Sequence, residues 1–74
     1  MIPGDLVKLN SSVGYTYSYD SNGIQIPEPL RKSDGLTMVI LEHGTTPQLL
    51  TKFKVLTSDG RICYISDFFL EVVK

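Results

Sequence analysis

Turn-forming residues interrupt this chain so often that a regular helix has no room to form. Gly, Pro, Asn and Asp separate short runs rich in β-branched and aromatic residues, and alanine is absent. No stretch keeps apolar residues at helical spacing over several turns, whereas several runs alternate with the period of two that strands require. The sequence therefore predicts an all-β protein built from short strands and tight turns.

Length and cysteine content limit what can stabilise such a fold. The 74 residues predict one domain, residues 1–74, whose folding removes only about 60% of the unfolded chain's surface from water. Cys63 is the only cysteine, so one chain cannot form a disulfide. Because His43 and Cys63 are single and distant in sequence, we expect no metal site and no cofactor. Efficient packing or assembly into a homo-oligomer is then needed for stability.

Five predicted strands cover residues 5–9, 36–43, 49–57, 61–65 and 69–73. Asp and Gly in residues 58–60 tolerate the backbone conformations of a tight hairpin, which joins the third strand to the fourth. Residues 44–47 suit the preceding turn. Residues 66–68 suit a single 3₁₀ turn, in which a Ser or Asp side chain bonds a following amide. Phe53 and Val55 share one face of the third strand, which we expect to point into the core.

The connection between the first two predicted strands, residues 10–34, is long for a compact domain. Residues 15–19 alternate like a strand, and residues 23–26 could pair back with them across residues 20–22. We therefore expect an irregular hairpin that folds over the barrel and leaves through an extended Pro-Glu-Pro segment.

The predicted order is strand, long loop, three-strand meander, 3₁₀ turn and last strand, and it resembles that of SH3-like barrels. Residues 4–9, GDLVKL, resemble the opening strand of many small barrels. Residues 54–62, KVLTSDGRI, and 69–73, FLEVV, are similar to a KVLWSDGKI…LEVI pattern of short barrel proteins encoded by tailed bacteriophages. Thr57 stands where that pattern has an aromatic residue, and the first loop is longer here. The resemblance implies a five-stranded SH3-like barrel of viral source and brings no catalytic residues.

Tyr15, Tyr17 and Tyr19 alternate within the long loop, so their rings should point to one side. In the peptide-binding SH3 domains that this chain resembles, a tyrosine motif in this loop lines the groove for proline-rich peptides. Those domains also use a tryptophan and a proline and tyrosine near the 3₁₀ turn, whereas this chain lacks tryptophan and has neither residue at 66–69. The tyrosines either contact another kind of protein or pack onto the barrel, hydroxyl groups outward.

The second predicted strand is apolar on both faces, which leaves two explanations open. Either its outer face is an intermolecular surface, or the long loop covers it. With the tyrosines, this strand and the loop give the candidate protein-binding residues Tyr15, Tyr17, Tyr19, Ile24, Ile26, Met38 and Ile40. The partner that we expect is a larger protein, from a virion or from the host.

The charge is nearly balanced, with seven basic and eight acidic residues, so we do not expect a nucleic-acid partner. The alternative hypothesis is a nucleic-acid-associated barrel, in which the tyrosines and a weak basic face of Lys52, Lys54 and Arg61 contact the nucleic acid. We expect no membrane span and no export signal. A free cysteine then predicts a cytoplasmic location, that of the host if a phage encodes the chain, or a place in the virion.

No nucleophile, base and carboxylate form a recognisable catalytic set, so we expect no enzymatic activity. His43 is predicted to be solvated at a strand end, and Cys63 to be a buried thiol that packs as a small hydrophobe. The leading hypothesis is a non-enzymatic interaction or structural protein. It would be a capsid-decorating or tail-associated virion subunit, or a small factor that binds a host protein.

Overall fold

The computed structural model describes residues 1–44 and 47–73. It contains seven strands and two 3₁₀ turns, Lys32–Asp34 and Asp67–Phe69, within these residues. The strands are β1 Leu6–Leu9, β2 Tyr15–Thr16, β3 Leu30–Arg31, β4 Met38–His43, β5 Lys52–Thr57, β6 Ile62–Ser66 and β7 Leu70–Val72. The predicted turn at residues 44–47 includes Thr45 and Thr46, which lie outside the described residues.

Five of these strands form one antiparallel sheet in the order β6-β5-β4-β1-β7. Strands β4, β5 and β6 follow one another as a meander, and β7 returns to pair with β1. This is the strand order of an SH3-like barrel, and a 3₁₀ turn stands before its last strand. The predicted fold class, a small five-stranded SH3-like barrel with a long first loop, is confirmed.

Alternate residues of the main strands point into one hydrophobic core. Phe53 and Val55, predicted to face inward, both belong to it, and Leu30 brings the long loop into the same cluster. Burying these side chains removes apolar surface from water, which is the main favourable term in folding. The largest fully buried side chains are Val7, Met38, Ile40, Leu49, Val55 and Ile65.

Strand β5 begins three residues later than the sequence predicts. Residues 47–51 form a turn instead, and the amide of Lys52 donates to the carbonyl of Leu49 at 2.9 Å. Leu49 is nevertheless buried, so an alternating pattern extends into the turn. Gly44 approaches the Leu49 carbonyl so closely that a side chain there would collide with it. The backbone contact therefore requires glycine at this position.

The long loop contains the predicted hairpin. Tyr19 pairs with Gln25, and the amide of Asp20 donates to the carbonyl of Ile24 at 2.9 Å. The Asp20 carboxylate accepts from the amide of Asn22 at 2.8 Å, which is the short-range bonding that favours Asp in turns. These contacts confirm the predicted pairing of residues 15–19 with residues 23–26.

Two further pairings of the loop are not evident in the sequence. Strand β2 pairs with β3, which closes the base of the loop. Tyr19 and Tyr64 of β6 exchange two backbone hydrogen bonds, each 2.8 Å long. The hairpin therefore continues the sheet past β6 by one residue pair.

Thr57 closes the hairpin between β5 and β6. Its buried hydroxyl accepts from the amide of Arg61 at 3.0 Å and donates to the carboxylate of Asp59. Gly60 has a φ of 92°, as the predicted turn requires. Hydrogen bonds from the Thr57 hydroxyl and the Arg61 guanidinium lower the pKa of the Asp59 carboxylate from its ordinary value, and the bond from Thr57 has the larger effect. A polar residue therefore fits this position because its hydroxyl bonds both sides of the turn.

We expect Ile40→Ala to lower the free energy of unfolding by about 2–5 kcal/mol, because the truncation leaves a cavity in the core. Leu41→Ala is the matched control and should cost much less, since Leu41 is 38% exposed and Ile40 is 1% exposed. Urea unfolding followed by tyrosine fluorescence measures both. Equal losses for the two variants would contradict the inward orientation of Ile40.

The Asp59 carboxylate should make the stability of the protein depend on pH in acid. Its pKa is lower in the folded chain than in the unfolded chain. The stabilisation is therefore complete above about pH 4 and is lost as the pH falls through the folded pKa. Asp59→Asn should give a flatter profile of thermal midpoint against pH below about pH 4 than the wild type. Asp67→Asn, at the other end of β6, is the control, and a flattening of the same size in that variant would refute this explanation.

Candidate protein-binding surface

Tyrosine and small polar residues alternate along residues 15–19. Thr16 and Ser18 are 6% and 3% exposed. Tyr15 and Tyr17 are exposed, and Tyr19 is half-buried. All three rings line one open depression, as the alternation predicts. The alternative that they pack onto the barrel applies in part to Tyr19 and not to Tyr15, whose ring is mostly in solvent.

We call the lining of this depression the tyrosine surface, and its volume is about 470 Å³. The rings of Tyr15 and Tyr17 meet edge to face, with centroids 6.0 Å apart. The ammonium group of Lys52 lies 4.6 Å from the centre of the Tyr19 ring, within the range of a cation–π contact. These two contacts give the depression both exposed aromatic rings and a positively charged group. The tyrosine surface consists of Tyr15, Thr16, Tyr17, Tyr19, Lys52, Ser66 and Phe69.

Four parts of the fold bring the tyrosine surface together. The long loop supplies the tyrosines, β5 supplies Lys52, the end of β6 supplies Ser66, and the 3₁₀ turn before β7 supplies Phe69. That turn begins where the Ser66 hydroxyl accepts from the amide of Phe68 at 3.3 Å, which confirms the predicted side-chain cap. A second depression of about 400 Å³ shares Tyr15 and Tyr17, so the exposed aromatic area continues toward Arg31.

The other four candidate protein-binding residues lie in different environments. Ile24 is exposed, and Ile26 is half-buried against the core. Met38 and Ile40 are both 1% exposed, so their assignment to a binding surface is wrong. The sequence shows that this strand is apolar on both faces, but it does not show which face points inward.

The outer face of the sheet carries an apolar row that is not evident in the linear sequence. Strand register places Leu6 opposite Val39, Val39 opposite Leu56, and Leu56 opposite Ile62. Val39 is half-buried, and the other three are exposed. The long loop therefore leaves this face open. In the sequence, each of these four apolar residues is next to a residue that points inward, which indicates that it lies on the outer face. Only the strand register shows that the four residues align across the sheet.

The three cations of the alternative basic face each lie against a neighbouring group. The Lys54 ammonium is 3.8 Å from the Glu42 carboxylate, and the Arg61 guanidinium is 2.9 Å from that of Asp59. Lys52 belongs to the tyrosine surface. Two of the three positive charges are thus partly neutralised, which weakens the attraction of this face for phosphate groups.

Cys63 and His43 are placed as the sequence predicts. Cys63 is a free thiol, 4% exposed, and burial raises its pKa against the smaller opposite effect of a hydrogen bond with Ser18. His43 is exposed at the end of β4, where its ring meets that of Phe53 edge to face at 5.0 Å.

Within residues 1–44 and 47–73, no group of three or more His, Cys, Asp or Glu side chains is arranged to hold a metal ion. The same part of the chain contains no helix with the length and apolar character needed to cross a membrane. Comparisons with protein-family models, with curated proteins and with solved structures gave no match. Functional inference therefore rests on the geometry of the surface.

The Cys63 thiol should be unreactive in the folded protein, because burial limits access and its raised pKa leaves little thiolate. Ellman's reagent at pH 8 should label it slowly in buffer and fully within minutes in guanidinium chloride. Labelling at the denatured rate in buffer would show that the sheet opens readily around Cys63.

Proposed function

We propose that this chain is a non-enzymatic protein-interaction domain that binds a larger protein through the tyrosine surface. The observation that supports it most directly is the arrangement of three tyrosines around one open depression, with Lys52 and Phe69 beside them. Small polar residues occupy the buried positions between the tyrosines. In this part of the loop the buried side chains are therefore polar, and the aromatic rings of Tyr15 and Tyr17 remain exposed to solvent.

Tyrosine suits such a surface for physical reasons. It supplies a large contact area at a low cost in side-chain entropy, and its hydroxyl group can bond a partner. Aromatic residues are enriched in interface centres, and tyrosine is among the residues that carry most of the binding energy. The contact between Tyr15 and Tyr17 and that between Tyr19 and Lys52 reduce the reorganisation needed on binding.

We do not expect the tyrosine surface to bind a proline-rich peptide. The tyrosine surface lies between the long loop and the 3₁₀ turn, where the SH3 domains that this chain resembles bind such peptides. Those grooves need closely spaced aromatic slots, and this chain has no tryptophan to form one wall. Phe69 is the aromatic residue that the 3₁₀ turn contributes to the surface.

Two biological settings follow from the resemblance to short barrel proteins of tailed bacteriophages, and both are part of the proposal. In one, the chain is a virion subunit that decorates the capsid or joins the tail. In the other, it is a small factor in the host cytoplasm that binds a host protein. Mass spectrometry of purified particles separates the two, because a structural subunit is present there in many copies.

The binding test compares the double variant Tyr15→Ala/Tyr17→Ala with the wild type in affinity capture from a lysate of the source cells. We expect one reproducible partner, recovered about tenfold less by the double variant, because losing one interface hot spot costs about 2 kcal/mol or more. The control is Ile62→Ala, an exposed apolar residue outside the tyrosine surface. Thermal midpoints must be similar for all three proteins. Equal recovery by the double variant, or no partner and no association with particles, would refute the proposal.

The nucleic-acid alternative is tested separately by fluorescence anisotropy with single-stranded DNA and RNA at low salt. We expect no tight binding, since Lys54 and Arg61 are already paired with carboxylates. Binding that weakens steeply as salt rises, and that falls further in Lys54→Gln, would favour the alternative.

A further inference from the structure

A pocket of about 220 Å³ lies between β1, β3 and the start of β4, apart from the depression between the loop and the 3₁₀ turn. Its floor is aliphatic. Leu9, Leu30 and Met38 belong to the core, and half-buried Leu36 packs against that core. The pocket thus opens directly onto the hydrophobic interior, and its floor is apolar.

Three basic residues line the same pocket. They are Lys8, Arg31 and Lys32, and Glu71 is the one acidic residue among its described lining residues. The lining therefore carries an excess of positive charge, although the whole chain has a net charge of −1. The Lys32 ammonium is held by the carbonyl of Ser11 at 2.7 Å, which keeps it at the rim.

These cations do not take part in the ion pairs recorded among the described residues, which join Lys54 to Glu42 and Arg61 to Asp59. Lys8 and Glu71 are register partners on β1 and β7, but their charged groups do not approach within salt-bridge distance. An incoming carboxylate would therefore meet cations that are not paired with a carboxylate among the described residues.

We propose that this pocket binds one apolar side chain of an acidic peptide segment in a partner protein. Its volume is below the range of about 300–1,000 Å³ that is typical of drug-sized ligands, so it suits a single side chain. The apolar floor takes that side chain, and the cations at the rim meet the flanking carboxylates. The described lining contains no aromatic ring on which a nucleobase could stack, which favours a peptide over a nucleic acid.

The pocket stands independently of the tyrosine surface as a binding site. Arg31 lines both the pocket and the depression beside Tyr15 and Tyr17, so the two areas adjoin. A peptide anchored in the pocket has a continuous path toward the tyrosines. The floor and the rim of the pocket nevertheless determine which ligand it binds. Binding to the pocket can therefore be tested in a variant that lacks the tyrosine side chains.

The test is a titration of the ¹⁵N-labelled full chain, followed by nuclear magnetic resonance. The probe is an acetylated, amidated five-residue peptide with a central leucine between two pairs of glutamates. We expect saturable shifts of the amides of Leu9, Gly35, Leu36 and Thr37. A peptide with central alanine should bind more weakly, because the floor then gains no apolar contact. The Lys8→Gln/Arg31→Gln variant should raise the dissociation constant about tenfold, and Lys54→Gln less than about twofold.

The result that overturns the proposal is an absence of shifts at these four amides at millimolar peptide. Equal binding of the leucine and alanine peptides would also overturn it. The same holds if Lys54→Gln raises the dissociation constant as much as Lys8→Gln/Arg31→Gln does. Isovalerate and a single-stranded oligonucleotide are run in parallel, and binding of either as tight as that of the peptide would overturn the choice of a peptide. Retained binding in Tyr15→Ala/Tyr17→Ala is expected, so failure of the tyrosine surface and failure of the pocket are distinguishable.

Discussion

The two backbone hydrogen bonds between Tyr19 and Tyr64 hold the long loop against the edge of the sheet. Each is 2.8 Å long, and together they place one residue of the loop as if it were the next strand after β6. This pairing fixes the side on which Tyr15, Tyr17 and Tyr19 emerge, since neighbouring residues of an extended segment point to opposite faces. It also covers part of an edge that would otherwise be open to pairing with another chain. The tyrosine surface therefore depends on a contact made by the backbone.

The sequence predicts the C-terminal meander well because its signals are local. Asp59 and Gly60 specify a hairpin, Ser66 caps a 3₁₀ turn, and Phe53 and Val55 mark the inward face of their strand. Each of these effects acts over a few residues, so the pattern alone contains the information. The late start of β5 shows the limit of this approach, since buried Leu49 continues the alternating pattern into a turn.

The candidate site was harder to predict, because its composition depends on contacts between distant segments. The alternation of the tyrosines was readable, but Lys52 and Phe69 join them only after the loop meets β5 and the 3₁₀ turn. Met38 and Ile40 were misassigned because a strand with two apolar faces does not reveal which one is buried. The apolar row from Leu6 to Ile62 needs the register of four strands and so was not visible in the linear sequence.

The hairpin closed by Thr57 and the pairing of Tyr19 with Tyr64 differ greatly in the length of chain that each must bring together. Thr57 bonds Arg61 across a short turn, whereas the loop reaches β6 only after most of the sequence has been made. Short loops close quickly and at a small entropic cost, and contacts between distant residues form slowly. We therefore expect the meander to fold before the loop docks, so that the scaffold precedes the surface it carries. In that interval the edge of β6 is bare, and a newly synthesised chain is most prone to pair with another copy of itself.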